Sequence, residues 1–404
     1  MAQLQLVKLA VVFLVIVVLL ALRRPLWLSL SGGVLATALL FGVSPVAWPG
    51  LVARVFTDWN SFSVLVSLYL ITYLQRMLEA RQQIKLAQQD LNGLFHNRRV
   101  NAGVAPLFIG LLPSAAAMIL CGDIVKDASD GYLTPREQAF VTSWMRHIPE
   151  STLPTYSGVL LMVTLSGVPL PSFMAGMVIP MIVLALLGYF PFLRRLPRDP
   201  GTPPSQDRRA DALHLFQHLW SLLLILVLIL ALGLQVVSAV LVSILAVAVV
   251  HRFKPRELLP MVATAFEKKL LGNTFLVLVL KEFLAYTGVL EQLPQTLSGL
   301  PIPPYLIFTL LFFLGGIISG ASGIIALGTP LAFAALPDGG MPLMVLLMCA
   351  CHAASQISPT HVCLVVAADY YQVTLGELIR KTLPRSLLFC LLMVGYYWIL
   401  AALF

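Results

Sequence analysis

Apolar runs long enough to span a bilayer recur through this sequence, near residues 5–22, 26–45, 60–79, 172–193, 216–233, 235–251, 272–290 and 385–403. A helix needs roughly 20 such residues to cross about 30 Å of hydrocarbon. No water is present there to satisfy a free backbone amide, so the runs must be α-helices. The charged fraction is 11% and the hydrophobic fraction 59%. A water-soluble globule would carry about one quarter charged residues. The expectation is an all-α membrane protein with no extramembrane catalytic domain, hence not an enzyme. The first run is read as a span because Arg23 and Arg24 follow it without a small-residue cleavage site.

The formal net charge of +8 lies in short clusters between apolar runs. Such clusters read as topology signals, not as a nucleic-acid footprint. Placing Arg23 and Arg24 in the cytoplasm puts the arm from Arg76 to Arg99, the linker from Arg194 to Arg209, the segment from Arg252 to Lys269 and the cluster from Arg380 to Arg385 on the same side. That orientation predicts a multi-pass protein of the cytoplasmic (inner) membrane with both termini extracytoplasmic. Cys121, Cys349, Cys351, Cys363 and Cys390 are odd in number, lie in or beside apolar segments, and are expected to be free thiols.

A polar, proline-rich linker at 194–213 divides the chain near its midpoint, and the two parts are related. Residues 104–170 align without a gap on 309–375 at one offset, pairing Phe108 with Phe313, Gly110 with Gly315, Ser114 with Ser319, Ala116 with Ala321, Ile119 with Ile324, His147 with His352, and Pro154-Thr155 with Pro359-Thr360. The span from 60 runs inward and that from 272 outward, which predicts inverted-topology repeats at 1–193 and 214–404. Each combines spanning helices, a re-entrant helical hairpin (about 104–130 and 304–335) and a broken transmembrane helix (about 136–170 and 341–375).

The breaks carry the chemistry. Gly, Pro, Ser and Thr interrupt these segments at depths where backbone groups must be buried in protein or line a wet cavity. The hairpin tips fall at Ser114-Ala115-Ala116 and at Ser319-Gly320-Ala321-Ser322. The pair Gly316 and Gly320 is also compatible with close helix packing alone. The broken helices carry Arg146, His147, Glu150, Ser151, Thr152 and Thr155 in one half, and His352, Ser355, Gln356, Ser358 and Thr360 in the other. Pro154 and Pro359 are expected to start second half-helices, with Thr152 or Ser358 capping nearby. Half-helix amides near the midplane favour an anionic group such as a carboxylate.

Charged groups inside a bilayer cost about 2.5 to 3.5 kcal/mol on insertion scales and mark functional sites by default. Arg146 is expected to supply positive charge to a substrate; the competing reading is a self-neutralising pair with Glu150, four residues on. His147, Glu150 and His352 are the candidates for a coupling ion, either H+ or Na+. Lys281-Glu282 reads as structural or as a lock between moving parts. Cys349, Cys351 and His352 do not converge on a helix, so no metal and no cofactor is expected.

The paired tips and broken helices, Ser114 with His147 to Thr155 and Ser319 with His352 to Thr360, resemble the ion transporter superfamily of dicarboxylate, citrate, gluconate and arsenite carriers. Within it the chain looks most like a prokaryotic branch of integral membrane proteins of unknown function. The resemblance implies a homodimer working as an elevator-type transporter. Where the sodium-coupled dicarboxylate branch has Ser-Asn-Thr at each tip, this sequence has Ser114-Ala115-Ala116 and Ser319-Gly320-Ala321.

The functional expectation is a secondary active transporter of a small organic anion. Its substrate site comprises Ser114, Ala115, Arg146, His147, Glu150, Ser151, Thr152, Thr155, Ser319, Gly320, Ser322, Ser355, Gln356, Ser358 and Thr360. Alternatives are a passive channel or the membrane subunit of an ATP-driven anion pump, and an intramembrane metallohydrolase built on His147, Glu150, His352 and His361. The last lacks an HExxH-type helix motif.

Overall fold

The computed structural model describes residues 2–22, 24–83, 86, 97–110, 116–199, 208–290 and 301–404. Among them there is no strand. Helices α1 (Ala2–Ala21) and α2 (Leu26–Leu40) form an antiparallel pair. It closes tightly because a Cβ on Gly32 or Gly33 would already strike Leu19 or Ile16. The span expected over 26–45 ends five residues early, and the chain then forms a helix that hydropathy did not signal, α3 (Trp48–Thr57). Its Leu51 and Val55 turn inward while Arg54 stays exposed, so one face is too polar to register as an apolar run. Asp58 then caps α4 (Trp59–Ala80), accepting from the amides of Asn60 and Ser61.

Next come α5 (Arg98–Ile109) and α6 (Ala116–Ser129), then α7 (Pro135–His147), a 3-10 turn (Ile148–Ser151) and α8 (Ser157–Ser166). The span expected over 172–193 is two helices, α9 (Leu170–Gly176) and α10 (Val178–Tyr189). The second part of the chain contains α11 (Arg208–Leu230), α12 (Val236–Val250), α13 (Pro255–Thr264), α14 (Lys268–Tyr286), α15 (Pro304–Ala335), α16 (Gly340–Ser355), α17 (Val362–Tyr370) and α18 (Leu375–Leu403). The last starts ten residues before the expected 385. Thr374 and Glu377 close a reciprocal capping box there, with the Glu377 carboxylate on the Thr374 amide at 3.0 Å.

Among the described residues six helical segments are long and apolar enough to cross a membrane, Leu170–Tyr189 being one of them across the turn at Met177, but α15 does so only by name. Gly320 interrupts it at φ 74°, ψ 168°. Phe312 and Gly328 flank this point and are in contact, as are Gly315 and Ile324. Sixteen residues of straight helix would separate the first pair by about 24 Å. The chain therefore reverses at Gly320, and α15 is a hairpin. In the first half the thiol of Cys121 lies 3.9 Å from the carbonyl of Pro106, which brings α6 back alongside α5.

Burial divides the helices by role. The segment from Pro337 to Ser355 is mostly buried, whereas that from Leu375 to Leu403 is mostly not. Residues 137–149 and 342–358 are buried without interruption. The centre of the molecule is thus formed by the two helices that lead into the breaks, and the simple apolar helices stand around them.

Candidate functional site

Helix α7 is buried all round yet carries polar residues on most of its length, so its polar groups must find partners inside the protein. Trp144 donates its indole N–H to the Leu184 carbonyl at 2.8 Å, and Thr142 meets the Tyr371 hydroxyl at 2.8 Å. The last turn delivers Arg146, 2% exposed, and His147, wholly buried. Arg146 Nη1 lies 3.7 Å from Glu150 Oε2 and 3.8 Å from Cys363 Sγ. His147 is held by Nδ1 on the Ser143 carbonyl at 2.6 Å, leaving Nε2 facing Glu150 Oε2 at 3.5 Å.

The second break meets the first. The rings of His147 and His361 pack edge to face with centroids 4.7 Å apart. His361 Nδ1 is fixed 3.0 Å from the Ser355 carbonyl. His352, the repeat partner of His147 in sequence, packs against Phe389 of α18 with centroids 6.0 Å apart. The imidazole that faces His147 is therefore that of His361, not its sequence equivalent.

Each hairpin touches the break of its own half. The Tyr156 hydroxyl donates to the Gly110 carbonyl at the end of α5, and a Cβ on Gly110 would overlap the carbonyl oxygen of Arg146. In the second half Ser358 donates to the Ile317 carbonyl at 2.8 Å and contacts the Thr360 hydroxyl at 2.8 Å, beside the reversal at Gly320. Each second half-helix crosses to the other half's hairpin. Gly158 of α8 lies against Ile325 of α15, while Tyr370 and Tyr371, at the end of α17, hydrogen-bond Asp123 and the Gly122 carbonyl of α6.

The expected site residues separate into three groups. Arg146, His147 and Glu150 meet His361 and Cys363 where the breaks come together, and Ser151, Thr152, Thr155, Ser355, Gln356 and Ser358 are buried in the adjoining segments. Ser319 is engaged locally, donating to the Gly315 carbonyl at 2.7 Å, while Ser322 and Thr360 are exposed. Ser114 and Ala115 lie outside the described residues, as do residues 200–207 of the linker. Within the first group, Ser151 Oγ, Thr152 Oγ1, both amide atoms of Gln356 and Nε2 of His147 are buried without a hydrogen-bond partner, as is Nε2 of His352 outside it.

One expectation needs correction. Pro154 and Pro359 do not start the second half-helices. These begin at Ser157 and Val362, after the residues Tyr156 and His361, and neither has a side-chain cap. Each proline sits in a turn that precedes its helix. Sequence reasoning also undervalued Tyr156, His361 and Cys363: at the same alignment offset Tyr156 falls opposite His361 and Cys363 opposite Gly158, so no identity marks them. Cys349 and Cys351 diverge as expected, toward the sulfur of Met177 and the carbonyl of Ala321 respectively.

Away from the breaks, a cavity of about 480 Å³ is lined by Asp58, Asn60, Ser63, Ser67, Thr164 and Lys281 among others. Lys281 also pairs with Glu282 at 3.6 Å. Both side chains are partly buried, and this cavity shares no residue with the two breaks.

A family model described as "Protein of unknown function (DUF401)" matches residues 5–400. No curated protein matches the chain by sequence. Among solved structures, that of the YdaH transporter of Alcanivorax borkumensis, described as having an unusual topology, is similar with a TM-score of 0.60 at 15% identity, covering 89% of each chain.

Proposed function

The chain belongs to the family of proteins of unknown function DUF401, and on that premise we propose that it is a secondary active transporter of a small organic anion, driven by protons or sodium. One observation carries this reading. Partnerless polar atoms are concentrated in the two helix breaks, which meet through His147 and His361 next to the buried Arg146. Leaving a buried donor or acceptor unsatisfied costs about 1 to 3 kcal/mol per group. An oxyanion placed beside Arg146 that accepts from Ser151, Thr152 and Gln356 would remove several such penalties together.

The architecture supports the same reading. Two hairpins, two breaks and reciprocal cross-packing between the parts before and after the linker fit inverted repeats at 1–193 and 214–404. The similarity in fold to a protein described as a transporter is consistent with transport. In our account the hairpins and broken helices move together as an elevator within a homodimer in the cytoplasmic membrane, and both termini are extracytoplasmic. Substrate contacts come from Arg146, Ser151, Thr152, Thr155, Ser355, Gln356, Ser358 and the tip residues Ser114, Ala115, Ser319, Gly320, Ser322 and Thr360. His147, Glu150 and His352 carry the coupling ion.

The test is ligand-dependent thermal stabilisation of the purified protein in detergent, screened over small carboxylates and inorganic oxyanions with and without sodium. A ligand at about 100 times its Kd adds roughly 2.7 kcal/mol of stability. A saturable shift for one anion class is the expected result. Uniform absence of any shift across the panel contradicts anion binding.

A further inference from the structure

We propose that the meeting point of the two breaks is a binding site for a thiophilic divalent transition-metal ion, ligated by His147, His361 and Cys363, with Glu150 as the oxygen donor beside them. The ligating atoms of the first three all lie within 4.8 Å of one another. Three features of the geometry distinguish this group from polar residues that happen to be close.

The first is orientation. Both imidazoles are held at Nδ1 by backbone carbonyls, His147 on Ser143 at 2.6 Å and His361 on Ser355 at 3.0 Å. Such anchoring fixes the tautomer and turns Nε2 toward the centre, the arrangement that orients metal-ligating histidines. The second is an orphaned donor atom. His147 is wholly buried and its Nε2 has no hydrogen-bond partner, although it faces the cluster. The third is donor chemistry. Two imidazoles, a thiol sulfur and a carboxylate oxygen suit zinc, cobalt or nickel better than the hard ions sodium or magnesium.

Metal–nitrogen bonds of about 2.0 to 2.1 Å and metal–sulfur bonds of about 2.3 Å place tetrahedral ligand atoms roughly 3.3 to 3.8 Å apart. Closing the three-residue cluster therefore requires contraction of about 1 Å, within reach of side-chain rotation at Cys363, while Glu150, 3.5 Å from His147 Nε2, turns in as the outer oxygen donor. Binding would release the thiol proton to solvent, because the thiolate is the ligand. With Glu150 ionised and Arg146 alongside, the filled site carries one net positive charge. His147 belongs to the end of α7, and His361 and Cys363 to the start of α17, so one ion would tie the two breaks together.

This goes beyond the transport reading while using His147 and Glu150, which that reading assigns to the coupling ion. Tag-free, chelator-stripped full-length protein in detergent is titrated with Co2+ alone and followed by absorption. The expected result is one Co2+ per chain, with a thiolate-to-cobalt charge-transfer band and the intense visible bands of tetrahedral cobalt. Cys363→Ser removes the charge-transfer band, and His361→Ala weakens Co2+ binding at least tenfold, while Cys390→Ser leaves both unchanged. Lack of saturable binding near one equivalent in the unmodified protein overturns the proposal, as does a charge-transfer band that survives Cys363→Ser. Neither outcome depends on whether any anion is transported.

Discussion

The α-carbon of Gly110 rests against the backbone carbonyl of Arg146, so closely that a Cβ at Gly110 would overlap the oxygen. The first hairpin arm is thereby set directly on the turn that delivers the buried guanidinium. Gly110→Ala forces backbone apart from backbone, since no flexible side chain is available to yield. The cost expected is about 1 to 3 kcal/mol. Thermal unfolding in detergent, with Gly272→Ala as the control because nothing lies within 4 Å of that site, checks it. Equal stability of the two variants would contradict this contact.

The second hairpin depends on Gly320 for a different reason. Its φ of 74° with ψ of 168° lies in a region open essentially to glycine alone. Gly320→Ala is expected to cost about 1 to 3 kcal/mol by backbone strain. Gly376→Ala, in open space at the start of α18, is the reference. A stability loss confined to Gly320→Ala is predicted; no difference between the variants would argue against the reversal there.

Arg146 and Glu150 allow a substrate role to be separated from mere neutralisation. Arg146→Gln is expected to weaken anion-dependent stabilisation at least tenfold, which is about 1.4 kcal/mol in binding. If the two residues only neutralise each other, Arg146→Gln with Glu150→Gln should recover ligand binding as well as stability. We predict that the double variant recovers stability but not anion binding, measured by the same thermal shift. A double variant that binds normally would remove Arg146 from the site.

Outside the spans, Arg81 holds Glu257 of α13 through a 3.0 Å ion pair. Hydrogen bonds from Arg81 and then from the Lys254 amide keep the Glu257 carboxyl below its usual range. A lowered folded value means that the contribution is complete above the ordinary carboxyl range and is lost as pH falls through the depressed one. Thermal unfolding followed from neutral to acidic pH should fall less steeply in Glu257→Gln than in the unmodified protein. Parallel slopes would show that the contact contributes nothing measurable.

Much of this arrangement is legible in the sequence because lipid makes it so. Polar residues from Arg146 to Thr155 and from Ser355 to Thr360 interrupt apolar runs, and in hydrocarbon such an interruption implies a cavity or a packed break. The reversal at Gly320 is announced by its glycine-rich surroundings. Three features are not legible. Helix α3 is amphipathic and short, so its hydropathy is unremarkable for a loop. The half-helices start after Tyr156 and His361 because Pro154 and Pro359 are spent in turns, and proline is equally at home in both settings. The contact of His147 with His361 joins residues more than two hundred positions apart, and the repeat pairs His147 with His352 instead. The alignment carries no sign that His361 is the imidazole facing His147.

The central claim, coupled transport of an anion through the meeting point of the breaks, is tested most directly by uptake into proteoliposomes containing the purified chain. Candidate anions identified by stabilisation are supplied under an inward proton gradient or an inward sodium gradient, each imposed separately. The account predicts saturable accumulation driven by one of the two gradients and abolished by Arg146→Gln. Flux that merely equilibrates under both gradients, or accumulation unchanged in Arg146→Gln, would contradict it.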